Sequence, residues 1–424
     1  MMKKMFLLHL SSNHRKFGGG SEMRRKIFVA FFLGAIFLFA SIYAYSQKIE
    51  TINGVRVVHN EKGGKLGNKP GVSIQLIKKI GDVDTTDENL AFNYPSDVAK
   101  DASGNIYILD SANNRIQKFN PEGKYLATFG RKGQGPGEFY NPDSIDIDAN
   151  GFFYVMDTYQ NRIQTMTPAG GGDRTIKLMD RFLHKLRCLK SGLLAVKGSL
   201  LYNSFDDKTK PPKLIKVLDQ EGKILRSFAD AINYGDGITS VMANAFDYIV
   251  DKNDNFCLAY TYQNQVEKYA PDGKLLWKAD RPLNYASGVL KKGKMERMSS
   301  GGMSISSPEM NICSAGIAVD NKSRMWVVTL SRQLHKEEKV QTSSMMVSGG
   351  GGGGISNVSR KTEGNTDLRT TDAYKLEIFD PDGVLLAEIP LTHFVNSIRI
   401  IGDNLFLLDQ ERGVTFYQYR IIEK

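Results

Sequence analysis

From Ile74 to Tyr419 the chain alternates short apolar runs with turn signals built on Gly, Asp, Asn and Pro. That pattern predicts many short strands and few helices. The runs recur in register. Tyr94-Pro95-Ser96-Asp97-Val98-Ala99-Lys100-Asp101-Ala102-Ser103-Gly104-Asn105-Ile106-Tyr107-Ile108-Leu109-Asp110 returns 47 residues later as Asn141 to Asp157. Asn114-Arg115-Ile116-Gln117 then matches Asn161-Arg162-Ile163-Gln164. Four related turns come after the same kind of run: Asn120 to Lys124, Asp219 to Lys223, Ala270 to Lys274 and Asp380 to Gly383. Each places a Gly between two apolar runs and so predicts a hairpin.

One unit is therefore four strands, a to d. In the first unit, a runs into the Asp101 turn, b is Ile106 to Asp110, c is Arg115 to Phe119 and d is Lys124 to Phe129. Weaker copies begin near Phe182, Phe246, Ile312 and Phe394. The sixth unit ends at its strand c, Val414 to Tyr419, and lacks a strand d. Ile74 to Ile80 can supply it, closing a ring and removing the open edge. The predicted fold is all-β: a six-bladed β-propeller of four-stranded antiparallel blades over residues 72–422, the last blade closed by an N-terminal strand. Residues 47–71 read as a linker with a short strand at Arg56-Val57-Val58.

The repeated residues resemble the NHL repeat family. Pro95, Asp101, Gly104, Tyr107, Asp110, Asn114 and Arg115 carry its pattern, as do Pro142, Asp148, Gly151, Tyr154, Asp157, Asn161 and Arg162. Later units depart from it: Leu189 replaces the turn Asp in the third, and the fifth and sixth lack the Asn-Arg pair. The resemblance implies a propeller that binds a protein, peptide or glycan. It also implies an alternative, a metal-dependent enzyme of the lyase or lactonase type with its site at the channel mouth.

Asp110, Arg115, Asp157 and Arg162 flank tight b–c connections, where a carboxylate caps turn amides and meets a guanidinium. They read as structural repeat residues, like Asp101 and Asp148, which open turns. Tyr107, Tyr154 and Trp326 read as core. Gly133 to Gly137 lacks the Lys-Ser/Thr ending of a phosphate loop and reads as a linker between units.

Function is expected where the repeat breaks. The a–b and c–d turns stay short. Gly198 to Pro212, Asp230 to Asn244, Asp280 to Asn311 and Ser331 to Asp372 lengthen only b–c and d–a connections, which share the other face. That one-sidedness marks a binding face over the channel mouth. Gly349 to Gly354 makes the Ser331 to Asp372 insertion look unable to order itself, as a lid or a loose loop. Each strand a opens on a polar pair or its substitute, Ala315-Gly316 in the fifth unit, and Asp97, Asp143, His184, Lys185, Asp247 and Asn396 are the candidate ligand-binding residues. They are expected to line a wet channel and to matter little for stability.

No catalytic residue and no cofactor is predicted. A calcium or zinc ion at the mouth stays open as the alternative, although His184, His335 and His393 fall far apart in the ring. Cys188, Cys257 and Cys313 fit no metal motif and read as small buried groups.

The chain carries a formal charge of +10, but residues 1–46 hold seven of the 56 Lys and Arg and one of the 46 acids. Residues 47–424 have 49 bases and 45 acids, a net +4 that disfavours nucleic acid as a partner. Arg24-Arg25-Lys26, the apolar run Ile27 to Tyr45 and the small residues before Gln47 have the order of a secretory signal. Residues 1–46 thus read as a leader, cleaved or kept as an anchor, with Met23 as the expected true start. This order predicts export to the periplasm or cell surface, as a monomer that meets the membrane only through an uncleaved leader.

Overall fold

The computed structural model describes residues 47–67, 71–201, 205, 210–297, 303–348 and 355–423. The leader, the run Ile27 to Tyr45 and Gly349 to Gly354 lie outside them. Among the described residues no helix is long and apolar enough to cross a membrane.

Six four-stranded antiparallel blades make a six-bladed propeller. Blade one is Pro95–Lys100, Ile106–Asp110, Arg115–Phe119 and Tyr125–Phe129, paired in that order. Strands a of the next five blades are Ser144–Ile147, His184–Cys188, Phe246–Val250, Ser314–Val319 and Ser397–Ile401. In blade six Val72–Ile80 pairs antiparallel with Thr415–Glu423, with Leu76 opposite Tyr419 and Ile80 opposite Phe416. The ring closes as the missing strand d required.

Alternation along each strand sends apolar side chains to both faces, so every blade packs on two neighbours. Closure appears as a core between blades six and one, where Ile80, Phe406 and Phe416 meet Val98, Ile106 and Phe119. Trp326, fully buried, donates from Nε1 to Asp320 at 2.9 Å, and Tyr107 from its hydroxyl to Asp101 at 2.9 Å. These two repeat aromatics thus fill the core with their polar tips tied to turn carboxylates, while the Tyr154 hydroxyl donates to Gln220 Oε1 at 3.1 Å.

The a–b turns are nearly identical. Asp101 N–H donates to Asn105 O at 3.1 Å, and Asp148, Asp251 and Asp320 repeat that bond. Blade three keeps the turn without the Asp: Leu189 N–H still reaches Leu193 O at 2.9 Å. The backbone closes this turn, and the carboxylate is an added cap.

Asp110 and Asp157 are fully buried. Asp110 accepts from Asn93 N–H at 2.7 Å and Arg115 Nε at 2.8 Å. Asp157 accepts from Tyr140 N–H at 3.0 Å and Arg162 Nε at 2.9 Å. Arg162 and Gln164 also donate to carbonyls of Gly133, Gly135 and Glu138, which pins the glycine-rich connection between blades one and two.

Two expectations need correction. Residues 47–71 are more than a linker. Lys48–Ile52 and Val55–His59 form a hairpin, and Val55–His59 pairs parallel with Leu275–Asp280, extending blade four to six strands. The chain then crosses blade five, where Lys65 and Leu66 donate to Leu385 O and Leu386 O at 2.8 and 3.0 Å. The N-terminal segment is a belt over three blades. Open outer strands offer unpaired amides, and the belt takes up part of them.

The described part of the Ser331 to Asp372 insertion does order itself. Val340–Ser348 and Ile355–Gly364 pair antiparallel from Val340 opposite Gly364 to Ser348 opposite Ile355. The expectation drawn from Gly349 to Gly354 falls on residues outside the described ones, and the strands on either side of them pair. Arg332 fixes the base: its Nη1 and Nη2 reach the two carboxylate oxygens of Glu338 at 2.6 and 2.8 Å.

Candidate functional site

A strand a lies at the inner edge of its blade, so its channel-side N–H groups have no ladder partner. Side chains from the preceding blade take that place. Asp97 of blade one accepts from Ile145 N–H of blade two at 3.2 Å. Asp143 and Ser144 of blade two accept from Lys185 and Leu186 N–H of blade three, both at 2.7 Å. Asp146 accepts from Cys188 N–H at 2.9 Å, and Asp247 of blade four from Ile317 N–H of blade five at 3.3 Å. Gln410 of blade six donates to Pro95 O of blade one at 2.7 Å. Gly316 stands where a Cβ would lie 3.0 Å from Ile398 Cγ2, so its missing side chain lets blades five and six approach. The polar pairs opening the strands are stitches between blades.

The structure brings most of the candidates together. Asp97, Asp143, Lys185 and Asn396 line one cavity of about 250 Å³ at the channel mouth, on the face with the long insertions. Asp247 is joined to them through its ion pair with Lys185. His184 lines a smaller neighbouring pocket, its Nδ1 3.6 Å from Asp143 Oδ2. Asn396 accepts from Gln410 N–H at 2.8 Å and so holds the turn that carries the bond to Pro95.

Their exposure differs from a freely wetted ring. Asp97 is 8% exposed and accepts from Arg187 Nη1 at 2.9 Å. Burial alone would raise its pKa, but Arg187, Arg399 and Lys185 together hold it below the ordinary value. Asp143 is raised by burial and pulled down further by His184, Lys185 N–H and Lys197, settling at about 2. Burial lowers the Lys185 pKa against the pull of Asp247. Asp97 and Asp143 are ionised near neutral pH, and all these groups are already paired, so they hold the mouth in shape. The expectation that they matter little for stability is corrected accordingly.

Two arginines escaped the sequence reading. Arg187 in blade three and Arg399 in blade six point into the channel one layer below the mouth, and Arg399 Nη2 reaches Asp146 Oδ1 at 2.6 Å. The available signal was alternation: Lys185 and Arg187, Ser144 and Asp146, Ser397 and Arg399 are two apart and share a side of their strands. Arg187 borders both the mouth cavity and a second one of about 200 Å³ toward the opposite face.

The histidines stay apart. His335 caps the short helical turn Lys336–Glu338. His393 is buried, stacked on Tyr417 with centroids 3.9 Å apart, and its Nε2 lies 2.9 Å from the Tyr419 hydroxyl. His59 joins the N-terminal hairpin to Asp280. Among the described residues no three His, Cys, Asp or Glu side chains are grouped to hold a metal ion. Cys257 and Cys313 are buried and Cys188 partly so, all as free thiols.

The insertions on the mouth face are joined. Asp236 caps the short helix Gly237–Ala243 by accepting from Thr239 N–H at 2.7 Å. Thr239 Oγ1 accepts from Gly293 N–H at 3.0 Å, linking the third-to-fourth and fourth-to-fifth blade connections. Met179, Leu201, Ile232 and Leu290, on four connections of this face, are 86%, 60%, 44% and 46% exposed.

Known proteins agree with this architecture. The DUF5128 family model, described as a 6-bladed beta-propeller, matches residues 73–275. A member of the DUF4221 family from Bacteroides vulgatus superposes with a TM-score of 0.53 at 10% identity, over 83% of this chain and 99% of that one. A virginiamycin B lyase from Staphylococcus aureus gives 0.43 at 9%, over 82% and 100%. A gluconolactonase from Xanthomonas campestris gives 0.44 at 12%, over 85% and 92%. At such identities the likeness is one of fold. No curated protein matches the sequence.

Proposed function

We propose that this propeller is an exported, non-catalytic binding protein that engages a protein, peptide or glycan on its insertion-bearing face. One observation carries the reading: exposed Met179, Leu201, Ile232 and Leu290 sit on connections surrounding a polar mouth, all on one face. Apolar loop groups supply contact area and a paired polar ring supplies orientation. Asp143, His184 and Lys185 retain exposed surface for a polar ligand group, while Asp97, Asp247 and Asn396 hold them in place. The repeat pattern shared with NHL propellers supports the same use of the face, and the secretory-type leader supports export.

Photo-crosslinking side chains placed at Met179, Leu201 and Ile232, and as controls at Asn105 and Asp272 in the short turns, test this in intact cells. The expected result is a discrete adduct from the first three positions alone, its mass distinguishing protein from glycan. Adducts of equal yield from Asn105 and Asp272, or none from the first three, overturn it.

A further inference from the structure

The second channel cavity, on the side away from the insertions, holds an unbalanced set of charges. Three cationic side chains line it, Lys100, Arg187 and Arg399, against one carboxylate, Asp146. Arg187 and Arg399 are 3% and 8% exposed. Each is fixed by one carboxylate, Arg187 by Asp97 and Arg399 by Asp146. Those bonds leave donors over. Arg187 Nε, Arg399 Nε and Arg399 Nη1 are buried with no hydrogen-bond partner.

A buried guanidinium N–H without an acceptor is costly, and such groups in a native protein point to bound water or an ion. Water would satisfy the donors but would not neutralise the excess positive charge. A small anion would answer both. The volume, about 200 Å³, leaves room for an ion with some of its water. The remaining side chains, Ala99, Ile249 and Val319 among them, carry no charge.

We propose that this cavity binds a small inorganic anion of chloride size, held by Arg187 and Arg399. The anion would complete a cluster drawing on blade one through Asp97, two through Asp146, three through Arg187 and six through Arg399. It would close the channel below the mouth and tie blades that do not touch. The site is independent of any ligand on the opposite face, so it stands whether or not that reading does.

Chloride and bromide are the probes. Thermal unfolding of the wild-type protein is followed while sodium chloride replaces sodium gluconate at fixed ionic strength. An anion that binds only the folded state should raise the melting temperature by a few degrees, saturably. Arg399→Lys, which keeps the charge but removes Nε and Nη1, should flatten that response. Crystals of the wild type soaked in sodium bromide should show one anomalous peak within hydrogen-bonding reach of Arg187 and Arg399. Ordered water there without bromide overturns the proposal. So does a melting temperature insensitive to the exchange, which would mean binding at crystal concentration only. The wild-type measurements decide the matter even if Arg399→Lys fails to fold.

Discussion

Arg187 of blade three donates from Nη1 to Oδ2 of Asp97 in blade one, 2.9 Å away and 90 residues distant in sequence. The pair crosses the channel and joins two blades that blade two separates. Both side chains are buried, so removing one leaves the other charge unpaired in a poor solvent. Arg187→Met should therefore cost about 3–5 kcal/mol of unfolding free energy. Adding Asp97→Asn should return part of it, because the stranded charge goes while an acceptor for Ile145 N–H stays. Urea unfolding of the two variants measures both numbers. A loss under about 1 kcal/mol for Arg187→Met would show a well-hydrated channel instead.

The N-terminal belt divides into parts of unequal weight. Val72–Ile80 is a strand of blade six, paired along its length with Thr415–Glu423. Deleting residues 72–81 should expose that edge and produce aggregation, read by light scattering. Lys48–His59 lies outside an already complete blade four. Deleting residues 47–59 should leave a folded propeller of near-normal melting temperature. If the hairpin deletion also aggregates, the hairpin protects an edge that blade four cannot leave open.

His59 makes the hairpin sensitive to pH. Its Nδ1 lies 2.5 Å from Asp280 Oδ2 and its Nε2 3.1 Å from Glu50 Oε1. Hydrogen bonding to Asp280, then to Glu50, raises its pKa above the ordinary 6.5. The folded state therefore holds the proton more tightly than the unfolded one. The resulting stabilisation is complete below pH 6.5 and fades as pH rises through the higher folded value. Hydrogen exchange at Val55–His59, corrected for intrinsic rates, should show more protection at about pH 6 than at about pH 8. His59→Gln should remove the difference. Equal protection at both pH values in the wild type would mean that the backbone pairing alone holds the hairpin.

The fold was legible because a blade is a local object. Asp-x-x-Gly turns, b–c caps and period-two aromatics act within one unit, and closure needed only the missing strand after Tyr419. The polar openings of strands a were legible too, but their use was not. Asp97 meets Ile145 and Arg187 only because the ring brings three blades together, and no spacing in the chain encodes that. The belt was missed because Val55–His59 pairs with residues some 220 positions away and carries no repeat signal. The hairpin of Val340–Ser348 and Ile355–Gly364 was missed because the composition of the insertion drew attention away from the pairing of its flanks.

That hairpin yields the last prediction. Glu338 is buried at its base and takes two bonds from Arg332, one from the Thr371 hydroxyl at 2.7 Å and one from His335 N–H at 2.8 Å. Its carbonyl accepts from Arg412 of blade six, so one residue ties the hairpin to two blades. The Arg332 bonds, foremost, hold its pKa at about 2 against the upward pull of burial. A lowered carboxylate pKa adds stability at pH values above the unfolded value of 4.5, lost as pH falls through about 2. Glu338→Gln keeps the shape but removes the charge facing Arg332. It should loosen the stem and cost the propeller about 1–3 kcal/mol, as a charged hydrogen bond does. Limited proteolysis should then cut within residues 340–364 at pH 7, while wild-type protein resists until acid. The six blades should keep a melting transition of their own, lowered by no more than that cost, since the carboxylate's bonds go to Arg332, His335 and Thr371 within the insertion. If instead the whole protein melts early with no preferential cut, the Arg332–Glu338 pair belongs to the ring and the hairpin is not a separable element of the insertion-bearing face.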